Sequence, residues 1–296
     1  MKLEEKDKVA IVAPASQLRG DERHFVERAA DVLVSWGLRP EILVESTHHF
    51  YLAGRDEPRA GHLQRALSDP ETKAIFCTRG GYGSPRLLRL LVAPDTRCEK
   101  FLVGYSDITA LHMCMARLCP DLVRIHGPNV ATKQFLDDGA DAHFNRNSLR
   151  ALLFGEAVPP HQTLKFIKAG VSTGRLEGGC LSMIVNTIGT RFAPSTAGSI
   201  LFLEDVGEPP YKVDRMLTHL SNAGLFDRVA GVVLGAMHKC EDPYNPLEEV
   251  VADVFRTFSF PVAMGLQSGH GPRNQCLRLG DTACLDSRDS CITFPD

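Results

Sequence analysis

The feature that most constrains this chain is the alternation of short apolar runs with helical patterns through its first half. Lys8 to Pro14 reads as a buried strand, and Glu22 to Trp36 as an amphipathic helix closed by Gly37. Strands follow at Pro40 to Val44, Lys73 to Thr78 and Phe101 to Tyr105. Helices are expected at Arg59 to Leu67, Pro85 to Val92 and Asp107 to Leu118. A strict β–α alternation implies a parallel sheet covered on both faces, since parallel strands need crossover helices.

The rhythm breaks near residue 155. Gly155, Pro159-Pro160 and the polar stretch after them read as a linker. Beyond it the elements are shorter and richer in strands. Strands are expected at Ser199 to Leu203 and Gly231 to Gly235, with helices at Lys212 to Leu220 and Leu247 to Phe258, and short strands around Val262, Leu277 and Ile292. The expected organisation is an α/β N-terminal domain over 1–155, a linker over 156–175, and a smaller, mixed, strand-rich C-terminal domain over 176–296. At 296 residues, two domains of ordinary size are expected.

Composition narrows the class of partner. A net charge of −3 gives no support for nucleic acid or an anionic membrane, both of which demand a basic surface. No run approaches the roughly 20 apolar residues of a membrane span, and Val9 to Pro14 is too short for a signal-peptide core. The expected location is the cytoplasm. The nine cysteines are scattered and never spaced CxxC, which fits free thiols in a reducing compartment. No histidine pair has zinc spacing, so no metal is expected.

Four segments carry candidate chemistry. In Phe101-Leu-Val-Gly-Tyr-Ser106-Asp-Ile, a buried strand runs into a helix with Ser106 on the turn. That is the setting of a nucleophile elbow, with the Asp107 N–H placed to donate to an oxyanion. It is equally the setting of a helix-capping serine, and GxSxG is incomplete because Ile108 replaces the second glycine. Arg79-Gly-Gly-Tyr-Gly-Ser is either a structural turn or a backbone donor loop, with Gly80 or Gly81 as the second oxyanion donor. Glu204 and Asp205 end an apolar strand, where a buried carboxylate needs a partner. His270 lies between glycines in a loop. Ser106, Glu204 and His270 follow the chain order nucleophile, acid, base, split between the two expected domains. Arg79, Arg86 and Arg273 are candidates to pair with a substrate carboxylate.

Together, Val9-Ala-Ile-Val-Ala-Pro-Ala-Ser, Arg79-Gly-Gly-Tyr-Gly, Gly104-Tyr-Ser-Asp, Gly178-Gly-Cys-Leu-Ser, Glu204-Asp-Val-Gly-Glu and Gly269-His resemble the LD-carboxypeptidase (muramoyltetrapeptide carboxypeptidase) family, which includes microcin C immunity peptidases. The resemblance implies a Ser106–His270–Glu204 triad and oxyanion donors at Asp107 and Gly81. It also implies a flavodoxin- or Rossmann-like first domain, a homodimer and no cofactor. The implied activity is release of the terminal D-alanine from the L,D-bond of murein tetrapeptides in cell-wall recycling. One departure is Cys180, where the family often has Asn. Two other functions fit parts of the pattern: a microcin-type peptidase cleaving an aminoacyl–nucleotide amide, and a non-catalytic nucleotide-binding module using Arg79 to Ser84 as its cradle.

Overall fold

A computed structural model describes residues 1–95, 97–156, 161–162 and 164–295. The chain divides into two compact units, Met1–Val158 with Gln275–Leu277, and Pro159–Asn274 with Arg278–Asp296.

The first unit opens with β1 (Lys8–Val12), α1 (Phe25–Ser35), β2 (Arg39–Leu43), α2 (Asp56–Ser68) and β3 (Thr72–Cys77). It continues with β4 (Phe101–Gly104), α3 (Thr109–Leu118), β5 (Val123–His126), α4 (Lys133–Leu136) and α5 (Ala140–Phe154). Strands β1 to β5 pair in parallel in the order 5-4-3-1-2. This is the flavodoxin-like order, with its switch point between β1 and β3. The buried strands read as apolar runs because helices cover both faces. Val9, Ile11, Phe76, Phe101, Val103 and Leu149 are all fully buried in one core. On α1, Phe25, Val26, Ala29 and Leu33 repeat at helical spacing and face that core.

Two expectations are corrected here. Pro85 to Val92 is not an α-helix, because only a 3-10 turn forms at Ser84–Arg86 and the chain then runs on as turns. Leu277 does not extend the second sheet. Leu277–Leu279 (β12) is the strand beside β5 in the first.

The second unit carries β6 (His161–Gln162), β7 (Lys165–Lys168), β8 (Val171–Cys180), α6 (Leu181–Thr187), β9 (Ser199–Val206) and α7 (Pro210–Asn222). It is completed by β10 (Gly231–His238), α8 (Leu247–Val254), β11 (Val262–Gly269), β13 (Thr282–Asp286) and β14 (Cys291–Thr293). Its eight strands form a mixed sheet in the order 6-14-13-8-9-10-11-7. The central run β8 to β11 is parallel and the flanking pairs are antiparallel. Residues 165–168 and 171–175 are therefore strand rather than linker, because their backbone groups pair with β11 and β13. Of the expected linker, residues 157–160 and 163 lie outside the described residues. A second apolar core, with Leu201, Leu203, Val213, Leu217, Val232, Leu234 and Phe255, packs α7 and α8 against the parallel strands.

Candidate active site

In the first unit, β4 ends at Gly104 and Ser106 opens the 3-10 turn that leads into α3. Ser106 has φ +65, one of five positive-φ residues other than glycine among the described residues. A serine held there costs on the order of 1–3 kcal/mol and persists only where its surroundings fix it. Several contacts do so. The buried Asn129 brackets Tyr105, accepting its N–H and donating to its carbonyl, both at 3.4 Å. Next in sequence, Asp107 is buried and its Oδ2 accepts the Ser84 N–H at 2.7 Å, while the Ser84 hydroxyl donates to the Asp107 carbonyl. Burial pushes the Asp107 carboxyl up to about 6, against the lowering effect of the Ser84 and Gly83 bonds.

Gly80 completes this arrangement. An ideal Cβ on Gly80 would lie 2.8 Å from Ser106 Cβ and 2.9 Å from its Oγ, so only glycine fits against the hydroxyl. The adjoining Gly81, at φ +97, packs on Ser16 instead. Ser16 Oγ accepts the Tyr82 N–H at 2.9 Å, fixing the peptide that follows. The Asp107 N–H lies in the first turn of the helix, where N–H groups have no intrahelical acceptor. The turn thus combines a left-handed serine, a glycine with no room for a Cβ beside its hydroxyl and a helix N-terminal peptide next to it.

In the second unit, Glu204 lies within β9 and is fully buried. His270 follows β11 directly. His270 Nδ1 is 2.7 Å from Glu204 Oε2, and the His270 backbone N–H donates to the same oxygen at 3.0 Å. This fixes the ring with Nδ1–H as donor, so the lone pair of the neutral imidazole is at Nε2. Burial lowers the His270 pKa, but the charge and hydrogen bond of Glu204 outweigh it, and the net shift is upward from 6.5. Burial also raises the Glu204 pKa, opposed by His270. Gly269, at φ +114, has no room for a side chain: a Cβ there would meet Glu204 Oε2 at 2.4 Å. Asn274 holds the loop, its Oδ1 accepting the Gly269 N–H at 2.9 Å.

Asp205 has a different job. Its carboxylate accepts the Ser182 N–H at 2.8 Å and so caps α6 from the neighbouring strand. Cys180 pairs with Glu204 across β8 and β9 and is buried. Burial and the two acids raise its thiol pKa, so it is a neutral neighbour of the dyad. Two of the candidate arginines are already engaged. Arg79 pairs with Glu22 at 2.7 Å, and Arg86 with Asp56 at 2.7 Å.

The structure therefore brings Glu204 and His270 together in the second unit, and Ser106, Asp107 and Gly80 together in the first. Sequence reasoning missed Ser84, Asn129 and Asn274. All three are polar loop or turn residues whose partners are set by the fold.

Known proteins define the class. Family models described as the LD-carboxypeptidase N-terminal and C-terminal domains match residues 9–127 and 173–285. The chain is thus a peptidase assembled from two α/β units. It belongs to the LD-carboxypeptidase family: the murein tetrapeptide carboxypeptidase of Pseudomonas aeruginosa is 33% identical over 94% of this chain and 93% of its own length. The solved muramoyltetrapeptide carboxypeptidase from Oxalobacter formigenes is 28% identical, covering 98% of this chain and all of that one at a TM-score of 0.80. The microcin C7 self-immunity protein MccF shares the fold at a TM-score of 0.86 and 22% identity, covering 100% of this chain and 97% of that one.

Proposed function

We propose that this chain is a serine LD-carboxypeptidase acting on murein tetrapeptides, with Ser106 as nucleophile, His270 as base and Glu204 as its acid partner. The observation that carries the reading is the left-handed backbone of Ser106 at a strand-to-helix turn, beside a glycine, Gly80, at which any Cβ would lie 2.9 Å from its Oγ. The relatives named for murein peptides supply the substrate class.

In this mechanism the Ser106 hydroxyl attacks the carbonyl of the L,D-bond as its proton passes to His270 Nε2. Glu204 holds the Nδ1–H tautomer and stabilises the imidazolium. The Asp107 and Gly81 N–H groups receive the oxyanion. Such donors are worth about 3–4 kcal/mol each. Collapse breaks the C–N bond, and His270 returns the proton to the departing D-alanine amine. Water, activated by the same histidine, then cleaves the ester. A homodimer working in the cytoplasm belongs to the same reading.

The microcin-type alternative has less support, since the likeness to MccF is one of fold. Trp36, the only tryptophan, follows α1 and packs edge-on against Phe135 beside the first core rather than at the Ser106 turn. Release of D-alanine from a defined L,D-tetrapeptide, followed by mass spectrometry, tests the proposal. Wild type should release it and Ser106→Ala should not, while remaining folded. Undiminished release by Ser106→Ala would overturn the mechanism, and cleavage of an aminoacyl–nucleotide amide alone would overturn the substrate.

A further inference from the structure

Arg59 has no place in the mechanism above, yet it is a buried cation hydrogen-bonded through all three of its side-chain nitrogens. It sits in the first turn of α2 with only 2% of its surface exposed. Its Nε donates to the Gly54 carbonyl at 3.1 Å, and Nη1 to the carbonyls of Pro14 and, at 3.1 Å, Gly83. Nη2 bonds to Asp56 Oδ1 at 2.6 Å, and Asp56 in turn binds Arg86. Burying a guanidinium is costly unless its donors are used, and here all three nitrogens are.

The tied segments are specific. Pro14 lies in the loop after β1, Gly54 in the loop before α2, and Gly83 closes the turn that begins at Gly80. One residue on, Ser84 bonds through both its N–H and its hydroxyl to Asp107, the neighbour of Ser106. Ser16, two residues beyond Pro14, donates its N–H to the Gly80 carbonyl at 3.2 Å. Both ends of the Gly80–Gly83 turn are thus referred back to one planar side chain.

We infer that Arg59 is a positioning residue for the reaction: its guanidinium sets the Gly80–Gly83 turn against Ser106 and thereby holds the oxyanion donors in register. The inference rests on Ser106 being the nucleophile. Only arginine presents donors in a rigid fork wide enough for three carbonyls and a carboxylate; lysine offers a single point on a flexible stem. A displacement of about 1 Å at such a site can cost about 100-fold in rate.

The test measures kcat and KM for D-alanine release by Arg59→Ala, Arg59→Lys and Asp56→Asn, with folding checked by near-ultraviolet circular dichroism. Arg59→Ala and Arg59→Lys should lose about 10- to 100-fold in kcat with KM changed less than about threefold. Millimolar guanidinium should restore Arg59→Ala but not Arg59→Lys, in which the ammonium stem fills the site. Asp56→Asn frees one side of the fork, keeps the test open if the arginine variants fold poorly, and should lose kcat by a few fold. Wild-type kcat in a folded Arg59 variant, wild-type kcat in Asp56→Asn should the arginine variants not fold, or a loss that guanidinium does not rescue, would overturn the inference. Ser106→Ala separates the two claims. If it is inert while the Arg59 variants are normal, only this inference fails; if it is active, the underlying mechanism fails.

Discussion

At Ser106 the backbone itself carries information. Positive φ is uncommon for a residue with a Cβ, and here it coincides with a glycine beside the hydroxyl that has no room for a Cβ. Gly80→Ala would place a methyl group within 3 Å of Ser106 Cβ and Oγ. Activity should fall roughly 100-fold, as expected for a misplaced nucleophile, while urea denaturation shows a fold largely kept. The His270–Glu204 pair makes a pH prediction with a definite sign. Because the base must be neutral and its pKa is raised, kcat/KM should be full at alkaline pH and fall as pH drops, with a midpoint above 6.5. Glu204→Gln removes the charge that raises it, so the midpoint should move down and kcat should drop sharply. Ser106, Glu204 and His270 were legible as residues because each sits where an apolar strand ends or a glycine-rich loop begins. Gly80's contact with Ser106 was not, since GG gives two equivalent letters and only the fold shows which one touches the serine.

The junction of β4 and α3 shows opposed titrations within one element. His112, buried on α3, is placed to donate through Nε2 to the Gly104 carbonyl at 2.8 Å, and burial pushes its pKa down to about 4. An unfolded chain binds a proton at this histidine below 6.5 that the folded one refuses. The native state therefore loses on the order of 3 kcal/mol as pH falls from 6.5 to 4. Asp107 acts oppositely. Its raised pKa means the folded state takes up a proton near 6, before the unfolded state does near 3.8, which returns about 3 kcal/mol over the same range. Asp107→Asn removes the compensation. Its urea midpoint should fall more than that of wild type between pH 6.5 and 4, and parallel curves for the two proteins would contradict this account. Elements with strong periodicity, such as α1 and α7, could be read directly. Val123–His126 could not, because four residues carrying an Arg and a His give no clear run. The helix expected after Ser84 failed because that turn is organised by Asp107 and Arg59 rather than by its own pattern.

On the scale of the whole chain, the β–α rhythm was enough to predict a parallel sheet. The strand order was not legible, nor was the return of residues 275–277 to the first unit, because both depend on pairing between distant segments. The division of labour in the proposed reaction, with a nucleophile on one unit and its base and acid on the other, was by contrast readable from the chain positions of Ser106, Glu204 and His270. The most direct test of that division is covalent trapping. A serine-directed phosphonate carrying a D-alanine-like leaving group, followed by intact mass and peptide mapping, should label wild type once, at Ser106. Labelling should be absent in Ser106→Ala and slowed at least 100-fold in His270→Ala, as for loss of a general base. Labelling at another residue, or at an unchanged rate without His270, would contradict the account.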